Sequence, residues 1–204
     1  MPTVTYALID VIGIRKLMPG PKAIEALNKF WQMAETWTNG GHDFTCRRAD
    51  RPDTLTLPSV YVSTFSDTAL VHSEPEVVLE DFYRHVLLSL KSRLDRAGRF
   101  YCIVSSGDYI PQSTEPALGG IASDRGTRPY WTPVAGSGPA WIDLWRADDA
   151  IKKKKEWHGK FTLYAVGSRS TFPGLRVVER HQMFDWQDRP VDLSACEWPS
   201  PSAC

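Results

Sequence analysis

The chain has 204 residues, 42% of them hydrophobic and 24% charged, which suits one domain with a substantial core and excludes disorder as its main state. Lys+Arg (24) balance Asp+Glu (24) at zero formal net charge, so wrapping of nucleic acid by bulk charge is not expected and any anion site must be local. Asp10 interrupts the most apolar N-terminal stretch, which leaves neither a membrane span nor a secretory h-region; the expectation is a cytoplasmic protein with no nucleic-acid or membrane partner.

Thr3 to Ile14 reads as a buried strand, and Pro19-Gly20-Pro21 breaks it. Lys22 to Trp37 carries Ala23, Leu27, Phe30, Trp31 and Ala34 at helical spacing, and Asn39-Gly40-Gly41 stops that helix. His42 to Pro58 is polar, Arg-rich and irregular, with room for one edge strand. Ser59 to Phe65 and Thr68 to Ser73 form a hairpin around Ser66-Asp67. Glu74-Pro75-Glu76 opens a second helix, in which Val78, Phe82, Val86, Leu90 and Leu94 step by four until Gly98. Phe100 to Ser105 is a strand leading into Ser106-Gly107-Asp108. A Gly/Pro/Thr-rich stretch follows from Ile110 to Val134, of a length that marks a functional or disordered loop. Gly138-Pro139 starts a third helix with Trp141, Leu144 and Trp145 inward, running to the Lys152–Lys155 end. Phe161 to Val166 and Leu175 to Val178 complete the strands. The expected division is one domain over 1–183 and a Pro/Ser-rich C-terminal arm over 184–204, either docked or frayed. This order predicts an α+β fold, with helices on one face of a mostly antiparallel sheet, and fits the ferredoxin-like split βαβ arrangement.

The cysteines (Cys46, Cys102, Cys196, Cys204) share no CxxC spacing and are expected to be free thiols; the five histidines form no zinc pattern. Two aspartates stand out instead. Asp10 lies inside the most apolar strand, where an unpaired carboxylate is costly. Asp67 sits at the hairpin tip, a position that turn chemistry alone also explains. In a split βαβ sheet the first strand runs beside this hairpin, so both carboxylates can face one point. Two hard oxygen ligands there suit Mg²⁺ or Mn²⁺ and a nucleotide phosphate.

Asp10-Val11-Ile12-Gly13-Ile14 resembles the first metal motif of class III nucleotidyl cyclases, and Phe65-Ser66-Asp67-Thr68-Ala69-Leu70-Val71 resembles the second. Val104-Ser105-Ser106-Gly107-Asp108 is similar to their following strand and its Gly turn. Gly138-Pro139-Ala140-Trp141-Ile142-Asp143-Leu144-Trp145-Arg146 resembles the helix that carries a transition-state Asn and, four residues on, an Arg. Gly159-Lys160 before Phe161-Thr162-Leu163-Tyr164 resembles a triphosphate-binding Lys ahead of a late strand. The likeness spans roughly residues 3 to 166 and rests on five motifs in the right order. Ser63 stands where purine cyclases place a base-reading Lys, Tyr130-Trp131-Thr132-Pro133-Val134 lacks the partner Asp, and Ile142 replaces the Asn. A short cyclase with metal ligands but without purine readers resembles the bacterial pyrimidine cyclases of Pycsar antiphage systems.

The resemblance implies a ferredoxin-like cyclase palm in a homodimer with active sites at the interface. It implies conversion of UTP or CTP, with UTP slightly favoured, to the 3′,5′-cyclic monophosphate and pyrophosphate, with two Mn²⁺ or Mg²⁺ ions per site. Asp10, Asp67 and the carbonyl of Val11 would hold metal, and Arg146 would meet charge growing on the α-phosphate. Lys160, with Lys155 second, would meet the triphosphate, although the Lys152–Lys155 run also reads as a solvated helix end. Tyr61, Ser63 and Tyr101 are the candidates near the base, with Arg99 a further one; as aromatics, Tyr61 and Tyr101 also suit the core. Asp124-Arg125-Gly126-Thr127-Arg128 offers charge for phosphate or for an interface. A purine cyclase and a catalytically silent cyclase-like module remain as alternatives. A diguanylate cyclase is disfavoured, because Gly119-Gly120 is followed by Ile121.

Overall fold

The computed structural model describes residues 3–13, 20–39, 46–47, 55–56, 60–65, 67–73, 77–97, 100–108, 138–154, 161–167 and 172–200. Its strands are β1 (Thr3–Val11), β2 (Cys46–Arg47), β3 (Leu55–Thr56), β4 (Val60–Phe65), β5 (Thr68–Ser73), β6 (Phe100–Asp108), β7 (Leu163–Val166), β8 (Arg176–Phe184) and β9 (Pro190–Glu197). The helices are α1 (Pro21–Asn39), α2 (Leu79–Asp81 running through Phe82–Leu87 into Leu88–Ala97) and α3 (Pro139–Lys153). Seven strands form one sheet in the order β4-β5-β1-β6-β7-β9-β8, antiparallel throughout except for β6 beside β7. The fold is therefore α+β. No helix among the described residues is long and apolar enough to cross a membrane.

β1 lies between β5 and β6 and is covered on both faces, which explains its nearly unbroken apolar run. Ala7, Ile9 and Val11 pack with Phe30 of α1 and with Phe82, Val86, Leu90 and Leu94 of α2. Val4, Tyr6 and Leu8 face the other way, onto Ala140, Leu144, Ala147 and Ile151 of α3. The expectation of helices on one face is thus corrected. β1 alternates two apolar rows, and the second row needs its own cover.

Two local features position these helices. In α2, a four-residue step overshoots the 3.6-residue turn, and the wider π turn at Phe82–Leu87 takes back part of that drift, keeping its column of apolar residues on one face. Before α3, Gly138 adopts φ +97, a conformation that favours glycine, and Pro139 then occupies the first turn. The start of α3 comes so close to β6 that a Cβ on Gly107 would lie 3.0 Å from Ala140 Cβ.

Residues 190–197, expected within a docked or frayed arm, instead form β9 between β7 and β8. Val191, Leu193 and Ala195 bury against the α3 side, while Asp192 stays outside. β8 is longer than expected and lies at the sheet edge, where its alternating exposed residues hid it from a hydrophobic reading. Trp145, expected inward, is 36% exposed, and Trp141 packs edge-on against Tyr6. The polar excursion after α1 contributes a short β2–β3 pair. Arg47 ties it to α2 through its backbone N–H and its guanidinium, both donating to Asp81. The expected helix start at Glu74-Pro75-Glu76, its end at Gly98, the 110–134 stretch and the side chain of Trp31 lie outside the described residues. Cys102 and Cys196 are free, buried thiols.

Candidate active site

Asp10 continues the β1 row of Val4, Tyr6 and Leu8, so its carboxylate turns toward α3 at the end of the strand, where it is only 4% exposed. Each of its oxygens has protein partners. Thr68, its register partner on β5, donates its hydroxyl to Oδ1 at 3.2 Å. The Tyr101 hydroxyl, from the register partner on β6, lies 2.9 Å from Oδ2, and the Lys152 ammonium of α3 lies 3.0 Å from the same oxygen.

Asp148, one turn before Lys152, completes the cluster. Its Oδ2 accepts from Lys152 at 2.8 Å, its Oδ1 lies 2.6 Å from the Tyr101 hydroxyl, and the residue is 7% exposed. Two carboxylates thus converge on one ammonium and one phenol. Burial pushes the Asp148 carboxyl above its ordinary range, with Lys152 and Tyr101 opposing. Burial and both aspartates push the Tyr101 phenol far up, so it stays protonated. Burial alone would lower Lys152, but Asp148 and Asp10 outweigh it and keep the ammonium charged. A single phenolic proton cannot serve both carboxylates at once. The phenol therefore alternates its proton between Asp10 Oδ2 and Asp148 Oδ1.

Asp67 stands in the β4–β5 turn, half-buried, and its backbone carbonyl accepts the Val11 N–H at 3.0 Å. The turn is therefore fastened to the end of β1 beside Asp10, across one inter-strand spacing of about 4.8 Å. Val11 itself is buried, with its side chain on the α1–α2 face. Among the described residues no three His, Cys, Asp or Glu side chains converge as a metal-binding group. The oxygen chemistry of Asp10 and Asp67 still suits a hard divalent cation, and it is the charge of Lys152 that now balances Asp10.

Arg146 lies six residues before Lys152 on α3, about 9 Å along the helix axis. Its guanidinium donates to Asp185 Oδ2 at 2.7 Å, to the Pro190 carbonyl at 2.7 Å and to Asp143 Oδ1 at 3.2 Å. Asp185 is buried and also accepts the backbone N–H groups of Gln187 and Arg189 and the Arg189 guanidinium. Burial opposes its charge, but Arg146 and these other donors hold the carboxyl far below its ordinary range. Arg146 thus clasps the β8–β9 turn to α3.

Tyr61 and Ser63 lie on β4 opposite His72 and Leu70, two strands from β1; their side chains are outside the described residues. Lys160, Lys155, Arg99 and the Asp124–Arg128 segment also lie outside them. Tyr101, expected near the base, is fully buried, with its hydroxyl engaged between the two carboxylates. Thr68, Asp148 and Lys152 were not among the expected site residues. Asp148 carried the same signal as Asp10, an acid within an apolar row (Leu144, Ala147, Ile151), whereas Lys152 was masked by the lysine run around it.

Comparison with protein-family models and with curated proteins found no match.

Proposed function

We propose that this chain is a nucleotidyl cyclase of the class III kind, converting UTP or CTP to the 3′,5′-cyclic monophosphate and pyrophosphate. One observation carries the reading: the Val11 N–H bond to the Asp67 backbone carbonyl, which fastens the β4–β5 turn to the end of β1 next to Asp10. The order β4-β5-β1-β6, with α1 and α2 on one face, supports the ferredoxin-like split βαβ palm that such enzymes use. Asp10, Asp67 and the Val11 carbonyl are the groups that would hold Mn²⁺ or Mg²⁺. The bound metal would lower the charge barrier to attack by the ribose 3′-oxygen on the α-phosphorus. Thr68 and Tyr101 orient the Asp10 carboxylate, and the surrounding core keeps water from its inner side. Lys160 remains the proposed triphosphate contact, and Ser63 and Tyr61 the proposed surroundings of the base, whereas Tyr101 is buried and serves Asp10. In this reading the enzyme is a cytoplasmic homodimer with shared sites, and its product is a signal in antiphage defence.

A catalytically silent nucleotide-binding module is the second reading. It is favoured by Lys152 seated on Asp10 and by the engagement of Arg146 with Asp185. Incubation of the purified protein with each ribonucleoside triphosphate and Mn²⁺, followed by mass identification of products, separates the readings. Cyclic UMP or CMP is expected. Cyclic AMP or GMP would redirect the assignment to a purine cyclase, and tight binding without any product would support the silent module.

A further inference from the structure

Lys152 is the one cation among the described residues that touches Asp10, and its position is unusual for a lysine. Its Nζ sits 3.0 Å from Asp10 Oδ2 and 2.8 Å from Asp148 Oδ2, both buried carboxylates, while its own side chain is 45% exposed. The ammonium therefore occupies the place of a cation shared by two carboxylates, on a stem that solvent can reach. Its tether is short: Asp148 is one helical turn away on α3, so the Lys152–Asp148 pair does not depend on Asp10. The bond to Asp10 can break while the lysine stays held nearby.

From this juxtaposition we propose that Lys152 is a built-in competitor for the divalent cation at Asp10, seated on the carboxylate when the metal is absent and displaced outward when it binds. The inference rests on the metal-binding part of the proposed function and adds its regulation. Without metal, an uncompensated Asp10 beside Asp148 would place two like charges in a buried site, a costly arrangement that the ammonium relieves. With a divalent cation held at Asp10, like-charge repulsion would drive the ammonium toward solvent. The chain thereby stays folded without metal at the expense of metal affinity. Asp148 acts as a positioning residue, keeping the ammonium ready to return.

The experiment is Mn²⁺ binding to the full chain without nucleotide, followed by electron paramagnetic resonance of the free ion, for the wild type and Lys152→Met. Removing one positive charge from beside the ion, discounted for its half-exposure, is expected to tighten Mn²⁺ binding about tenfold. The variant is also expected to melt lower than the wild type without metal and to gain more from added Mn²⁺. Unchanged or weaker Mn²⁺ binding by a folded variant overturns the proposal. Should Lys152→Met not fold, the wild type answers alone: acylation of the Lys152 amine, read by peptide mass, is expected to accelerate when Mg²⁺ is added. An acylation rate indifferent to saturating Mg²⁺ counts against displacement. Neither readout needs turnover, so a protein that binds metal but makes no cyclic nucleotide would sink the cyclase reading and leave this inference standing.

Discussion

Tyr101→Phe removes a single oxygen from the centre of the candidate site and leaves the ring in place. The ring keeps its edge contact with Tyr164, at 6.3 Å between centroids, so little packing is lost. What disappears is the junction that lies 2.9 Å from Asp10 and 2.6 Å from Asp148. A hydrogen bond to a charged group is worth about 1.5–3 kcal/mol, and a buried acceptor left without a partner costs a similar amount. Asp10 retains Thr68 and Lys152, and Asp148 retains Lys152, so the two losses do not add in full. The expected destabilisation is about 2–3 kcal/mol. In a protein of this size that lowers Tm by about 4–12 °C. Thermal and urea unfolding followed by circular dichroism measures it, with an unchanged urea m-value expected because the same surface is exposed on unfolding. A variant melting within about 1 °C of the wild type would refute the view that this phenol joins the two carboxylates.

Gly107→Ala is expected to destabilise by about 1–3 kcal/mol in the same assay, because the new Cβ meets Ala140 Cβ and the backbone start of α3 rather than a yielding side-chain tip. Asp67→Asn is expected to abolish turnover in the triphosphate assay while Tm barely moves, since the described bond from this residue runs through its backbone carbonyl; residual cyclase activity near wild type would remove Asp67 from the metal site. Asp185→Asn is expected to lower Tm at pH 7. The folded carboxyl is held below its ordinary value of 3.8, so its stabilisation is complete above that value and fades as the pH falls through the lower folded one. The Tm gap between wild type and variant should accordingly narrow on acidification from pH 4 toward pH 2, and a gap independent of pH would contradict the clasp.

Legibility in the sequence followed how one-sided each signal was. The acid at position 10 stood out because it interrupts the most apolar stretch of the N-terminus, and the hairpin around Asp67 because both its strands are rich in β-branched residues and short. Periodicity found α1, α2 and α3 but could not say on which face of the sheet each would lie. That depends on β1 having two apolar rows, each needing cover. β9 escaped because it starts on Pro190 and runs into a Pro/Ser-rich end, a composition shared with loops. Asp148 and Lys152 escaped for a related reason: charged residues on a helix read as solvent-facing until the sheet beneath is known. Arg146 was found by motif, yet its partner Asp185 lies 39 residues away in a turn that has no apolar pattern.

The placement of β9 also bears on how the chain is made. A ribosome delivers β8 before β9, yet β9 is the strand that joins β8 to the rest of the sheet. Until residues 190–197 have emerged, the Arg176–Phe184 strand has no neighbour, and the β7 edge lies open beside it. At about 5–20 residues per second, that interval lasts on the order of a second. During that window, among the described strands, the β7 edge and the whole of β8 await the same partner, so mispairing of either with another chain is most favoured just before β9 arrives.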